Sequence, residues 1–338
     1  MEINLPTGFQ SRPAAMNDLA AAIDLYNACS RDVLGTDEFT LSRCQRDWQT
    51  PGFNLEADTC LVIAPGGQIA GYFEIWDFFK PHVTIDCWGR VHPDFANLGV
   101  GQFLLEWGER RARQGILKAP ADTRVVLQTF INSLFQRECQ LFEQAGFQPA
   151  RRNLRMLIEL PEPPPPPCWP SRITVRTFVA GQDEHALVGA VRDAFQDHRG
   201  YVERPFEQDL ALWEYRIADT ANFDPSLWFL ALDCNEIVGT SICTWKSRDD
   251  PDLGWVHTLG VKRAWRRQGI ATALLQHSFA ELHRRGRQRV GLGVDAKSLT
   301  GATRLYLKAG MHPDPKHEFI IYIKELRPGR DLRKQTVE

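Results

Sequence analysis

The chain is short of everything that would assign it to a membrane, a nucleic acid or an oxidising compartment. No stretch approaches the roughly 18 consecutive apolar residues that a bilayer-spanning helix needs. Its opening, MEINLPTGFQ, has neither a basic segment nor an apolar core of the secretory kind. A dominant charge is missing too: 40 Lys and Arg stand against 42 Asp and Glu, so no electrostatic footprint calls for nucleic acid or an anionic membrane. The cysteines, at positions 29, 44, 60, 87, 139, 168, 234 and 243, are scattered and lack the close pairs of a zinc site. We therefore expect a soluble, cytoplasmic chain with reduced thiols, no metal, and a small-molecule partner rather than a nucleic acid or membrane. Nothing in the sequence bears on oligomeric state.

What is present is length and repetition. With 338 residues the chain has enough apolar content for two cores. Its composition breaks at PEPPPPPCWP, Pro161 to Pro170, a segment suited to extended polyproline and to neither helix nor central strand. Laying the second half on the first gives the same features in the same order. Phe9 to Ala28 faces Ile173 to Phe195, and GRVHPDFANLGVGQFLLEWGERRARQG faces LGVKRAWRRQGIATALLQHSFAELHRRG. A constant offset of 170 sets Val91 opposite Val261, Gly99 opposite Gly269 and Gly101 opposite Ala271. QLFEQAGF then faces RLYLKAGM. The chain is a tandem duplication, with expected domains at 1–160 and 171–328, a linker at 161–170 and a polar tail at 329–338.

Within the second copy the periodicities predict a strand, a helix, a strand pair turning at Asn235 and a fourth strand, GWVHTLGV. After the glycine segment come a helix to about Arg285, the strand RVGLGVD, a helix around Tyr306 and a last strand, EFIIYIKEL. Each copy should thus be a mixed α/β sheet.

The glycine segment carries the chemistry. A strand ends near Val261 and an amphipathic helix begins near Ile270, yet no Ser, Thr, Asp or Asn stands at its cap. Gly269 and Ala271 leave the backbone bare, so N–H groups from about Arg267 to Ala271 can converge on one anion, typically a pyrophosphate. Two familiar phosphate loops are excluded. A P-loop requires Gly-Lys-Ser/Thr, and a dinucleotide loop requires a third glycine where this chain has Leu104 and Leu274.

The remaining pattern, Arg/Gln-x-x-Gly-x-Gly/Ala after a strand ending in Val, followed later by LYLKAG, resembles the GNAT superfamily of acyl-coenzyme A-dependent N-acyltransferases. The resemblance covers nearly the whole chain, once per half. It implies two tandem GNAT-like domains, each a mixed, mostly antiparallel twisted sheet flanked by helices, and acetyl-coenzyme A as acyl donor. It places the cofactor against Leu259, Val261, Arg266, Arg267, Gln268, Gly269, Ile270, Ala271, Thr272 and Ser298. A second cofactor site would lie at Val91, Gly99, Val100 and Gly101, although Ala96 there replaces the arginine of the second copy. Tyr306 matches the tyrosine that protonates the departing thiolate, and Phe142 in the first copy has no proton to give. Catalysis is accordingly expected in the second copy.

Aminolysis of a thioester also needs a base for the incoming ammonium. The superfamily's usual glutamate falls where Trp255 stands. Period two on GWVHTLGV would put Trp255, His257, Leu259 and Val261 on one face, making His257 the candidate base, with Asp252 or a partly neutral substrate as alternatives. The segment after the first helix, together with the opposite wall, supplies Asp197, His198, Tyr201, Glu203 and Trp245 as an acceptor pocket for a cationic amine. The expected activity is acetyl transfer to a primary amine by direct attack. The alternatives are a non-catalytic acyl-coenzyme A sensor or scaffold, and transfer to a protein N-terminus.

Overall fold

The structure, a computed structural model, describes residues 4–219, 223–298 and 301–334. The chain divides into two compact units, Met1–Arg152 with Lys316–Leu332, and Asn153–Pro315 with Arg333–Glu338.

In the first unit the order is β1 (Gln10–Arg12), α1 (Leu19–Leu34), α2 (Leu41–Trp48), the single turn α3 (Leu55–Asp58), β2 (Thr59–Ile63), β3 (Ile69–Trp76) and β4 (Thr84–Val91). It continues with α4 (Val100–Gly115), β5 (Val125–Asn132), α5 (Gln136–Gln144) and the start of β6 (Gln148–Glu159). The second unit repeats this plan with β7 (Ile173–Thr177), α6 (Glu184–Phe195), α7 (Phe206–Ile217), β8 (Trp228–Asp233), β9 (Glu236–Thr244) and β10 (Gly254–Val261). It closes with α8 (Ile270–Arg284), β11 (Arg289–Asp295), α9 (Ala302–Lys308) and the start of β12 (His312–Arg327).

Each sheet is antiparallel except for one parallel pair, β4 with β5 and β10 with β11. The fold is therefore the mixed, mostly antiparallel α/β sheet expected. Its last strand is the surprise. β5 is completed by β12, running from Phe319 opposite Asn132 to Arg327 opposite Val125. β11 is completed by β6, from Asn153 opposite Asp295 to Glu159 opposite Arg289. Each half of the sequence thus lends its final strand to the unit built by the other half, and the unit boundary falls at Arg152/Asn153 inside β6 rather than at the proline-rich segment. A ladder is made of backbone groups, so two similar terminal strands satisfy either edge, and local pattern does not say which takes which. Residues 335–338 of the expected tail lie outside the described residues.

The helices dock where small residues leave room. α8 buries Ile270, Leu274, Leu275, Phe279 and Leu282 on one side, each contributing about 1.5–3 kcal/mol. The buried hydroxyls of Ser278 and Ser241 on that side pair at 2.7 Å, which satisfies both. On the opposite face α6 comes so close to β10 that a Cβ on Gly260 would lie 2.9 Å from the side chains of Ala194 and Phe195.

Candidate active site

The glycine segment forms the turn its sequence requires. Gly269 takes φ 87° and Arg267 φ 62°, both left-handed, and α8 begins at Ile270 with no side chain bonded to its cap. The left-handed conformation strongly favours glycine at Gly269. It turns the first amides of α8 outward, where they remain free to hold an anion. They face a cavity of about 530 Å³ lined by Leu259, Val261, Arg266, Arg267, Gly269, Ile270, Ala271, Thr272, Ser298, His257 and Tyr306. Of the expected cofactor residues, Gln268 alone is not in the lining; its amide turns back to the Ala264 carbonyl at 3.5 Å.

The floor of the cavity is a split in the sheet. β10 and β11 pair in parallel only from Gly254 opposite Val290 to Val256 opposite Leu292, although β10 runs on to Val261 and β11 to Asp295. The facing edges beyond Val256 are left without ladder partners from one another, and an extended amide-bearing ligand can pair with them.

The register of β10 with β9 slips between Val256 and Thr258, making His257 the extra residue of a bulge. This corrects the period-two reading. Pairing sets Trp255 opposite Thr244 and Leu259 opposite Ser241, so Trp255 and Leu259 stand on opposite faces. His257 reaches the cavity because of the bulge, not because of alternation. Its Nε2 lies 3.0 Å from the Thr244 hydroxyl.

Tyr306, on α9, is 7% exposed, and among the described residues its hydroxyl has no protein partner. Burial alone pushes the phenol up to about 12, so it keeps its proton throughout the physiological range. His198 also lines the cavity, and burial lowers its pKa, which favours the neutral imidazole. Asp197 is committed elsewhere. Arg266 grips it through both terminal nitrogens, one at 2.8 Å, while the same guanidinium donates to the carbonyls of Ala194 at 2.9 Å and Val261 at 3.3 Å. The hydrogen bonds from Arg266 hold the Asp197 carboxyl below its usual range.

The other expected acceptor residues do not line this cavity. Glu203 is exposed beside Arg192 at 3.7 Å, and Trp245 lies under Arg287 at 4.0 Å. Tyr201 is held by backbone bonding to Lys334 at 2.9 Å. Asp252 is exposed and pairs with Arg287 at 3.2 Å. Sequence reasoning missed Arg155, which it left with the first copy. Carried into the second unit on β6, its guanidinium lies 5.1 Å from the Trp255 ring and 2.7 Å from Asp249.

The first unit repeats the cradle. Asn97 at φ 61° and Gly99 at φ 87° reproduce the second loop, and a cavity of about 540 Å³ is lined by Val91 and Gly101 among others. Phe142 stands in the tyrosine's place, buried 4.9 Å from the Phe147 ring. β4 runs against β3 without a register slip, from Gly71 opposite Val91 to Trp76 opposite Asp86. By these pairs Asp86 holds the position of Trp255, a correspondence that the constant offset conceals because the second copy carries one extra residue. On the same face of β3 and β4, Tyr72 and Trp88 pack with Tyr26 from α1, at 5.3 and 4.9 Å from its ring. Thr240 and Thr258 occupy the equivalent positions of the second unit.

Duplicated sheets, split central strands and paired glycine cradles define a tandem acyltransferase fold. The chain belongs to the Acetyltransferase (GNAT) family, which matches it at residues 19–147 and 188–311. It is an acyltransferase enzyme. A mycothiol acetyltransferase of Thermobispora bispora is 30% identical over 254 residues, covering 74% of this chain and 79% of that one. One from Salinispora arenicola is 29% identical over 278 residues, with coverages of 81% and 82%. Among solved structures, a GCN5-related N-acetyltransferase from Sphaerobacter thermophilus superposes with a TM-score of 0.80 at 37% identity, over 98% of this chain and all of that one. A tandem GNAT protein from the clavulanic acid biosynthesis pathway shares the fold, with a TM-score of 0.68 at 13% identity over 95% and 99% of the two chains.

Proposed function

We propose that the second unit transfers an acetyl group from acetyl-coenzyme A to a primary amine by direct attack, and that the first unit is a coenzyme-binding partner without turnover. The observation that carries this reading is that Tyr306 shares a cavity with the Gly269 cradle, whereas Phe142 occupies its place in the first unit.

The donor brings a reactive thioester; the chain positions it and manages two protons. Amides from Arg267 to Ala271 bind the diphosphate, and the open edges of β10 and β11 hold the extended arm. The amine nitrogen forms the new C–N bond as the C–S bond breaks. His257 accepts the ammonium proton, with His198 the other imidazole in reach of the cavity. A backbone N–H at or next to Leu259 stabilises the developing oxyanion, a contribution of roughly 2.7–4 kcal/mol. Tyr306 protonates the leaving sulfur.

Ring packing around Tyr26 supports the assignment to the second unit, since it fills in the first unit the face of the strand on which an acceptor would lie. A small amine is the favoured acceptor, and the acceptor of the mycothiol acetyltransferases is the first to try. The test is coenzyme A release across a panel of amines. Turnover with any amine supports transfer, and tight acyl-coenzyme A binding with no thiol released from any of them would instead favour a sensor.

A further inference from the structure

Most buried charges among the described residues come with an ion-pair partner; Glu74 instead accepts from the Tyr72 hydroxyl at 2.6 Å, and burial pushes its carboxyl up to about 7. The other deeply buried charged residues among those described are Asp58, Asp77, Asp183, Asp197 and Arg90. Arg111 holds Asp58 and Asp77 at 2.5 and 2.8 Å, Arg176 holds Asp183 at 2.6 Å, and Arg266 holds Asp197. Arg90, only 8% exposed, has no ion pair among the described residues. Its Nη1 donates to the Gly89 carbonyl at 3.0 Å, and its Nε has no hydrogen-bond partner. The guanidinium lies 4.7 Å from the Trp88 ring and 4.6 Å from the Phe135 ring.

A guanidinium cannot shed its proton to escape this burial. Aromatic faces attract it but do not neutralise it. The Cys29 thiol lines the same cavity, donates to the Val91 carbonyl at 3.2 Å, and is pushed by burial up to about 12. It stays neutral. Asp32 and Glu138 also line the cavity without pairing with Arg90, and Asp32 lies 3.9 Å from Arg137. Nor is the arginine a shared inheritance of the fold. The second unit has Gly260 at this position, where α6 leaves no room for a side chain.

Arg90 therefore carries a desolvated positive charge at the wall of a cavity of about 540 Å³. We propose that this cavity of the first unit is a binding site for an anionic ligand whose phosphate or carboxylate group pairs with Arg90. The proposal deepens the coenzyme-binding role given to that unit and is independent of acetyl transfer by the other.

The test compares the full wild-type chain with Arg90→Met by calorimetry and thermal shift, using inorganic pyrophosphate, coenzyme A and succinate as probes. Arg90→Met should leave the ligand-free Tm equal or higher, since a buried unpaired charge gives way to an apolar chain. It should also weaken one class of binding sites at least roughly tenfold, the loss expected of a charge-assisted hydrogen bond. An effect confined to pyrophosphate and coenzyme A identifies a phosphate ligand, and one on succinate a carboxylate. Equal binding of every probe by both proteins would overturn the proposal, as would unchanged binding with a markedly lower Tm. Should Arg90→Met not fold, Arg90→Gln decides by the same binding criteria. The transfer reading fails or stands separately, on Tyr306→Phe in the other unit.

Discussion

Tyr306→Phe separates a chemical role from a structural one, because the structure already contains the product of that substitution. Phe142 sits at the equivalent point of the first unit, buried against Phe147, so the fold accepts a phenyl ring there. The Tyr306 hydroxyl has no protein partner among the described residues, and its loss orphans no donor or acceptor. The stability change should therefore stay within about 1 kcal/mol, or a few degrees in Tm for a unit of this size. Loss of a general acid, in contrast, costs roughly 10²–10⁴ in rate, about 3–5.5 kcal/mol of barrier. The assay is release of coenzyme A thiol under saturating amine. We expect kcat to fall by that factor while the affinity for acetyl-coenzyme A stays within about twofold.

The pH dependence sharpens the test. The folded pKa, about 12, lies above the ordinary value of 10. The wild-type enzyme should accordingly show no tyrosine limb below about pH 10, and the variant's profile should be lower without changing shape. Between about pH 10 and 12 the buried phenol destabilises the fold as pH rises, because the unfolded chain ionises first. Tyr306→Phe should remove this loss. A variant that turned over at full rate would refute the acid assignment, and one that lost activity together with more than about 10 °C of Tm would refute the separation of roles.

The remaining predictions concern the cradle, the base and the clamp. Gly269→Ala places a side chain at φ 87°, so stability should fall by about 1–2 kcal/mol and coenzyme binding should weaken; Gly99→Ala should cost as much stability, checked by urea unfolding. His257→Gln should abolish the acidic limb of the kcat/KM profile, whereas an unaltered limb there and its loss in His198→Gln would move the base to His198. Asp197→Asn should destabilise by about 1–3 kcal/mol at neutral pH. The folded pKa of Asp197 is depressed, so its contribution is present above the ordinary aspartate range and fades as pH falls through the folded value. Acid unfolding of Asp197→Asn should therefore be flatter below about pH 4, and an identical acid limb would count against the clamp.

The family, the duplication and the cradle could be read along the chain because each depends on local pattern. A repeat at constant offset, an apolar stripe after an uncapped start and a glycine at a forced left-handed turn are properties of neighbouring residues. Tyr306 and Phe142 were legible for the same reason, each lying in a short motif with a fixed place on its helix. The tertiary structure alone decided three things that depend on which backbones meet. Strand pairing sent Arg155 into the second unit and the last strand into the first, since hydrogen-bond ladders are indifferent to which of two similar strands fills an edge. One extra residue in β10, invisible without its partner strand, turned His257 into the cavity and moved Trp255 to the face opposite Leu259. Charge compensation emerged last. Arg266 looked free for phosphate until Asp197 was found against it, and nothing along the chain marked Arg90, whose burial without an ion pair depends on which elements pack around it.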